Sequence, residues 1–282
     1  MIVAFDFGIT NTDLAIKDNS IQYLSVPSSF NEENGDFNLT ENHVLKVLQK
    51  LNLDIKEINS IGVTGGKSAD LPDKICDVPI AKINEIDAIG KGARSLYKIE
   101  EESALVVSSG TGTACVQIQN ALTNHLGGIS VGGGMLEGLS NLIIKNPNGT
   151  KINDLALKGD RKILDVMIGE AVNEIGKLNA EITAANFAKA RNASDHSIEN
   201  ISASLCNMVG EVIGTVAYLN ALLIGSNKAY FLGRTSMLSE VKKGIDDRLA
   251  LAGIEGVDHE DRGFGNAIGV LASIDIEAYF HL

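Results

Sequence analysis

The sequence predicts an α/β protein built as two related halves, and three observations carry that reading. First, apolar runs of strand length (IVAFDF, LAIK, IQYLS, SIGVTG, SALVVS) alternate with segments of helical periodicity. Second, IVAFDFGITNTDLAIK at the start is echoed by ALVVSSGTGTACVQIQ from Ala104: a short apolar run, a turn of Gly and Thr, then a second run. Two unrelated Gly-containing hairpins would also give this echo. Third, 282 residues with 44% hydrophobic and 21% charged are enough for a sizeable core and exclude wholesale disorder. The echo places the boundary near Lys98, giving halves 1–98 and 99–282.

Taken in order, the opening run ends in Asp6, turns, and continues as two more short strands. A polar stretch, Asn31 to Asn38, leads to a helix capped near Thr40, with Val44, Val47, Leu48 and Leu51 on its apolar side. Asp87 to Leu96 reads as a helix before the second strand-rich block. Beyond Gly134 the pattern is mainly helical: Met135 to Ile144, a segment around Thr183 to Ala190, and Ile201 to Ile224. A strand follows at Ala229 to Leu232, then a Gly-rich turn at Gly263 to Gly269.

Charge and cysteine content narrow the function. Lys plus Arg total 24 against 36 Asp plus Glu, a formal net charge of −12 that disfavours a nucleic-acid partner. Anion sites made of backbone N–H groups are unaffected by net charge. Cys76, Cys115 and Cys206 form no CxxC pair, which argues against a disulfide scaffold or thiolate metal site and fits a reducing cytoplasm. The opening MIVAFDFG has neither a basic region nor a cleavage site, so no signal peptide is expected. Ala203 to Gly225 is apolar enough to need a membrane check, but Asn207, Glu211 and Asn220 would be costly in lipid. A buried core helix fits better, and no membrane partner is expected.

Several loops have the composition of phosphate sites. DFGITNTD (6–13) sets a carboxylate at a strand end before a tight turn. There Gly8 permits close approach, Thr10 and Asn11 offer donors, and Asp6 is placed to orient a hydrated Mg²⁺. An ordinary hairpin with an Asx turn would read the same. SSGTGTA contributes Gly110, Thr111, Gly112 and Thr113 as a second such loop. Gly132, Gly133 and Gly134 precede a helix, where absent side chains would admit a nucleotide to the helix N-terminus or serve close helix packing. GVTGGKS falls one residue short of a Walker A loop, with Ile61 where the first Gly belongs. Glu85 and Asp87 begin a helix after a strand; they complement the helix dipole, and a carboxylate there can also accept a hydroxyl proton.

Together these strings resemble the type II pantothenate kinases of the actin-like ATPase superfamily. The resemblance runs through DFGITNTD, VTGGKS, NEIDA, SSGTGTA, GGISVGGGMLEGLSNLI, KGDR, TAANFA, VGEVIGTVA, FLG and GFGNAIGVL, in the family's order over nearly the whole chain. It implies two actin-like (ribonuclease H-like) domains with a nucleotide cleft between them, ATP and Mg²⁺ as cofactors, pantothenate as acceptor, and a homodimer. By position it makes Glu85 the catalytic base. Asp6, Gly8 and Thr10 fall in the first phosphate loop, Gly110 to Thr113 in the second, and Gly132 to Gly134 on the nucleotide side. The chain departs from the family at Ile9 and Asp13, where Gly and Lys are usual, and at Ala114, where a hydroxyl is frequent. His125 stands where the family has an acceptor-binding Arg. These departures bear on acceptor choice and turnover. Besides a pantothenate kinase, they leave open a kinase for another hydroxy acid or a sugar, and a non-catalytic nucleotide-binding regulator.

Overall fold

The structure, a computed structural model, describes residues 1–28, 39–173 and 179–275, so the polar stretch Asn31 to Asn38 lies outside the described residues. Strands β1 (Ile2–Phe7), β2 (Asn11–Lys17) and β3 (Ile21–Pro27) are followed by α1 (Glu41–Lys50), β4 (Ser60–Thr64), β5 (Lys74–Ile75) and β6 (Val78–Lys82). Helix α2 (Glu85–Tyr97) leads into β7 (Ser103–Ser109), β8 (Thr113–Gln119) and β9 (Leu122–Ile129). Then come α3 (Gly133–Ile144), α4 (Gly149–Ala156), β10 (Val166–Met167), α5 (Ile168–Ala171), β11 (Thr183–Ala185) and α6 (Ile198–Ile224). The chain continues through β12 (Lys228–Leu232), α7 (Ser239–Leu251), β13 (Glu255–Val257) and α8 (Gly265–Ile274).

The expected echo is present in the topology. One sheet runs β3-β2-β1-β4-β6-β5 and another β13-β12-β7-β8-β9. Read from its far edge, the second order β9-β8-β7-β12-β13 repeats β3-β2-β1-β4-β6. Two compact units result: one holds Met1–Val106, Val116–His125 and the described residues from Asp258 onward, the other Val107–Cys115 and Leu126–Val257. The first unit therefore extends beyond Lys98 and takes back a later segment and α8.

In the first unit, alternation along the strands sends side chains to two different cores. Phe5, Phe7, Leu14, Ile16, Ile61 and Val63 pack on one face with Val44, Val47 and Leu48 of α1. The other face carries small residues, Ala4 and Ala15, against Ala88 of α2 and Ala267, Val270 and Leu271 of α8. Gly62 lies on that face too, since a Cβ there would sit 2.5 Å from Val270 Cγ1. The Gly-rich segment expected as a turn at Gly263 to Gly269 instead enters α8. Its glycines serve helix contact: a Cβ on Gly269 would lie 1.8 Å from the Ala88 carbonyl oxygen, and one on Gly92 would lie 1.9 Å from that of Gly265.

In the second unit, α6 is long and apolar enough to cross a membrane by composition. It nevertheless buries Asn200, Ser202, Ser204, Asn207 and Glu211. Glu211 pairs with Arg248 of α7 at 3.0 Å and accepts the Asn186 amide at 3.1 Å. The GxxxG pair faces α7, where Cβ atoms on Gly210 and Gly214 would lie 2.1 and 2.6 Å from the carbonyl oxygens of Val241 and Ile245. This matches the core-helix expectation.

The helix expected around Thr183 to Ala190 is absent; the segment is β11 followed by turns. Side-chain bonds to its backbone and hydroxyl displace the helical ladder. Arg161 donates to Thr183 Oγ1 and to the Glu181 carbonyl, both at 2.7 Å. Asp165 Oδ1 accepts the Phe187 N–H at 2.8 Å, and Phe187 takes a left-handed φ of 56°. Burial pushes the Asp165 carboxyl above its ordinary value, against the lowering effect of the Phe187 N–H, Ser204 and Arg161.

Candidate active site

The parallel strands β1, β4 and β6 are neighbours and end at one edge of the first sheet, where ligands of open α/β sheets bind. At the end of β1, Asp6 is in register with Thr64 of β4, and the Ile83 N–H beyond β6 bonds the Val63 carbonyl at 2.8 Å. The Gly8-Ile9-Thr10 loop to β2 is held from beneath by Ser28. Its hydroxyl donates to the Gly8 carbonyl at 2.7 Å, and its N–H donates to the Thr10 carbonyl at 3.1 Å. With that proton committed, Thr12 donates to Ser28 Oγ at 3.1 Å. A Cβ on Gly8 would lie 2.7 Å from the Asn11 carbonyl oxygen, so the turn requires glycine there. Ile9 and Thr10 remain exposed, and Asn11 is half-buried.

The glycines of VTGGKS close onto this same strand end. Gly65 and Gly66 have φ of 73° and 49°, and a Cβ on Gly65 would lie 2.6 Å from Asp6 Oδ1. Close packing under Asp6 accounts for these glycines, in keeping with the rejected Walker A reading.

Glu85 is the exposed first residue of α2, after Asn84 caps the Ile86 N–H at 2.9 Å. Helix α2 packs through Ala88 on the face bearing Ala4, which by alternation is also the face of Asp6. Asp6 and Glu85 thus share an edge and a face of one sheet. Asp87 has a structural use: its carboxylate accepts the Thr123 hydroxyl of β9 at 2.9 Å.

That contact also locates His125. Arg94, late in α2, donates to the Asn120 carbonyl, while Asp87, earlier in α2, meets Thr123, so the helix and β9 run in opposite directions. His125 lies two residues beyond Thr123 on the same strand face, a rise of about 7 Å, or between four and five helical residues. Counted back from Asp87, this sets the exposed His125 just beyond the N-terminal end of α2, the end at which Glu85 stands.

In the second unit, the Gly110-Thr111-Gly112 loop meets the start of α3 and the end of β12. The Gly133 and Gly134 N–H groups donate to the Gly110 and Thr111 carbonyls at 2.8 and 3.0 Å. Thr235, after β12, donates to the same Gly110 carbonyl at 2.7 Å. Thr113 Oγ1 donates to the Val131 carbonyl at 2.8 Å. Cβ atoms on Gly132, Gly133 and Gly134 would lie 2.7, 2.8 and 2.5 Å from Gly110 O, Thr235 Oγ1 and Thr111 Cγ2. The loop itself therefore requires all three glycines, and two of their N–H groups are already engaged within the protein. Gly110 has open space where a Cβ would be. Sequence reasoning missed Thr64 and Thr235, since a lone threonine at a strand end carries no pattern of its own.

The Fumble family profile matches residues 98–241, more than half of the 282 residues. The chain belongs to the Fumble family. The Fumble match holds the second loop, His125 and α3; the first loop and Glu85 precede it. Among curated proteins, the type II pantothenate kinase of Staphylococcus epidermidis is 28% identical over 243 residues, covering 83% of this chain and 89% of its own. That of Staphylococcus aureus strain USA300 is 26% identical over 226 residues, covering 78% and 84%. Two solved structures share the fold of this Fumble protein. The activator of 2-hydroxyisocaproyl-CoA dehydratase from Clostridium difficile has a TM-score of 0.64 at 15% identity, covering 99% of this chain and 96% of its own. A ROK family glucokinase from Streptomyces griseus has a TM-score of 0.57 at 10% identity, covering 95% and 97%. The α/β expectation holds, and at these identities the structural likeness concerns the fold alone.

Proposed function

We propose that this Fumble protein is an ATP-dependent pantothenate kinase. The observation that carries the reading is the match to type II pantothenate kinases over 83% of this chain and 89% of the relative. The pantothenate hydroxyl oxygen attacks the γ-phosphorus of ATP, the bond to the β-phosphate oxygen breaks, and ADP leaves. Glu85 takes the hydroxyl proton, and its place on the same edge and face as Asp6 supports that role. The Gly8–Asn11 turn and the Gly110–Thr113 loop receive phosphates, while Gly132–Gly134 shape the second loop and the nucleotide side. His125, beyond the same end of α2 as Glu85, contacts the acceptor.

Mg²⁺ fits the first loop. Thr64 Oγ1 is buried without a hydrogen-bond partner among the described residues, in register with Asp6, and such hydroxyl and carboxylate oxygens suit a hard cation. Asp6 would hold it, and when bound it would offset charge on the transferring phosphoryl group. The remaining expectations stand as part of the same proposal. The net charge of −12 supports a partner set without nucleic acid, and three free cysteines support a cytoplasmic site. Exposed leucines on α6 support a homodimer, and the polar face of α6 supports a protein with no membrane partner.

His125 in place of Arg favours one second reading, a kinase whose acceptor is a less acidic alcohol. ADP release measured with pantothenate, another hydroxy acid and a sugar tests both. Pantothenate-dependent release supports the first reading, and release with a different acceptor only supports the second. Nucleotide binding without turnover on any acceptor contradicts both.

A further inference from the structure

Three cations of α2, Lys91, Arg94 and Lys98, line one cavity of about 350 Å³ in the first unit. Their spacing puts them on one side of the helix, with Lys91 and Lys98 about 10 Å apart along its axis. Ile99, just past the helix, and Ala272 of α8 give the cavity an apolar wall. Arg94 follows Glu85 at about two and a half helical turns, so it faces the opposite side of α2. The cavity therefore lies apart from the Glu85 end of the helix and from the loops described above.

Three features of this cluster call for an anion. Cations in a last helical turn serve the helix dipole, which accounts for Arg94 and for Lys98 at the cap. Lys91 stands near the middle of α2, beyond the reach of that effect. Like charges three and four residues apart repel, and a ligand that neutralises them removes the penalty. Among the described residues the Lys91 and Lys98 amines have no ion pair, and Glu100, also in the lining, pairs with neither. Arg94 donates to the Asn120 carbonyl, which anchors its guanidinium and leaves other N–H donors for a second partner. The net charge of −12 does not cancel the cluster, because distant acids are screened beyond about 8 Å at physiological salt.

We propose that this cavity binds a compact anion carrying two phosphates, one held by Lys91 and Arg94 and the other by Lys98. The apolar wall leaves room for a small organic core between them. The proposal goes beyond the kinase reading and does not depend on it.

The test titrates the full-length protein, without nucleotide or acceptor, with inorganic pyrophosphate and with fructose 1,6-bisphosphate. Calorimetry reads affinity, and amide hydrogen exchange reads location. The expected result is slowed exchange over residues 91–100 with at least one probe, and the tighter probe shows whether the phosphates are free or carried on an organic core. That binding should weaken about tenfold or more in the double variant Lys91→Gln with Lys98→Gln, which keeps both side chains long and polar. Exchange over 91–100 unmoved by either probe, or wild-type affinity in the double variant, overturns the proposal. Should the double variant fail to fold, Lys91→Gln alone should weaken binding about threefold, and unchanged affinity there overturns it instead. Neither ATP nor pantothenate is present, so failure of the pantothenate assay leaves this measurement standing, and its failure leaves the pantothenate assay standing.

Discussion

Thr235 donates its hydroxyl to the Gly110 carbonyl at 2.7 Å, joining the turn after β12 to the loop between β7 and β8. The same carbonyl accepts the Gly133 N–H at 2.8 Å, so one oxygen ties three chain segments together. Thr235→Val keeps the shape and removes that donor, at a cost of about 1 kcal/mol. The expected outcome is an ATP affinity lowered roughly fivefold with kcat changed less, measured by calorimetric titration and steady-state kinetics. An unaltered ATP affinity would remove this loop from the nucleotide site.

Glu85→Gln preserves size and the start of α2 but cannot take a proton. Turnover should fall ~10²–10⁴-fold while nucleotide affinity stays near wild type. Rapid-quench kinetics alongside nucleotide titration separates the two effects, and retained turnover would show that Glu85 is not the base.

His125→Arg places a planar fork of donors just beyond the N-terminal end of α2. If the acceptor is carboxylate-bearing, its KM should fall, by about tenfold for one charge-assisted pair, with kcat little changed. The measurement is KM for pantothenate in both proteins. An unmoved KM would place the acceptor carboxylate elsewhere.

Leu219, Leu222 and Leu223 on α6 are 53%, 56% and 74% exposed, an apolar patch at helical spacing. A homodimer burying them predicts that Leu222→Glu with Leu223→Glu shifts the protein to monomer in sedimentation velocity at micromolar concentration. A wild type that is already monomeric there contradicts the dimer.

Much of this fold was legible because its strands are bounded by glycine turns with physical reasons of their own. The pairing of IVAFDFGITNTDLAIK with ALVVSSGTGTACVQIQ suggested two related halves, and the repeated strand order of the two sheets agrees with that echo. Local pattern failed where distant contacts decide. Gly269 looks like a turn residue, yet it lies in α8, where the Ala88 carbonyl approaches too closely for a side chain. Thr183 to Ala190 has helical periodicity, yet Arg161 and Asp165 hold it in turns. The site shows the same division. Asp6 and Glu85 stood out as carboxylates beside turns, whereas Thr64 became visible only through its register with Asp6 and its orphaned hydroxyl. The Gly132–Gly134 run read as a nucleotide-side feature, but much of its need for glycine comes from the protein's own loop.

The central claim is phosphoryl transfer from ATP to pantothenate with Glu85 as base. Its most direct test incubates the purified protein with γ-labelled ATP, Mg²⁺ and pantothenate and follows the label. The account predicts labelled phosphopantothenate from the wild type and almost none from Glu85→Gln. Labelled inorganic phosphate alone, or equal product from both proteins, would contradict it.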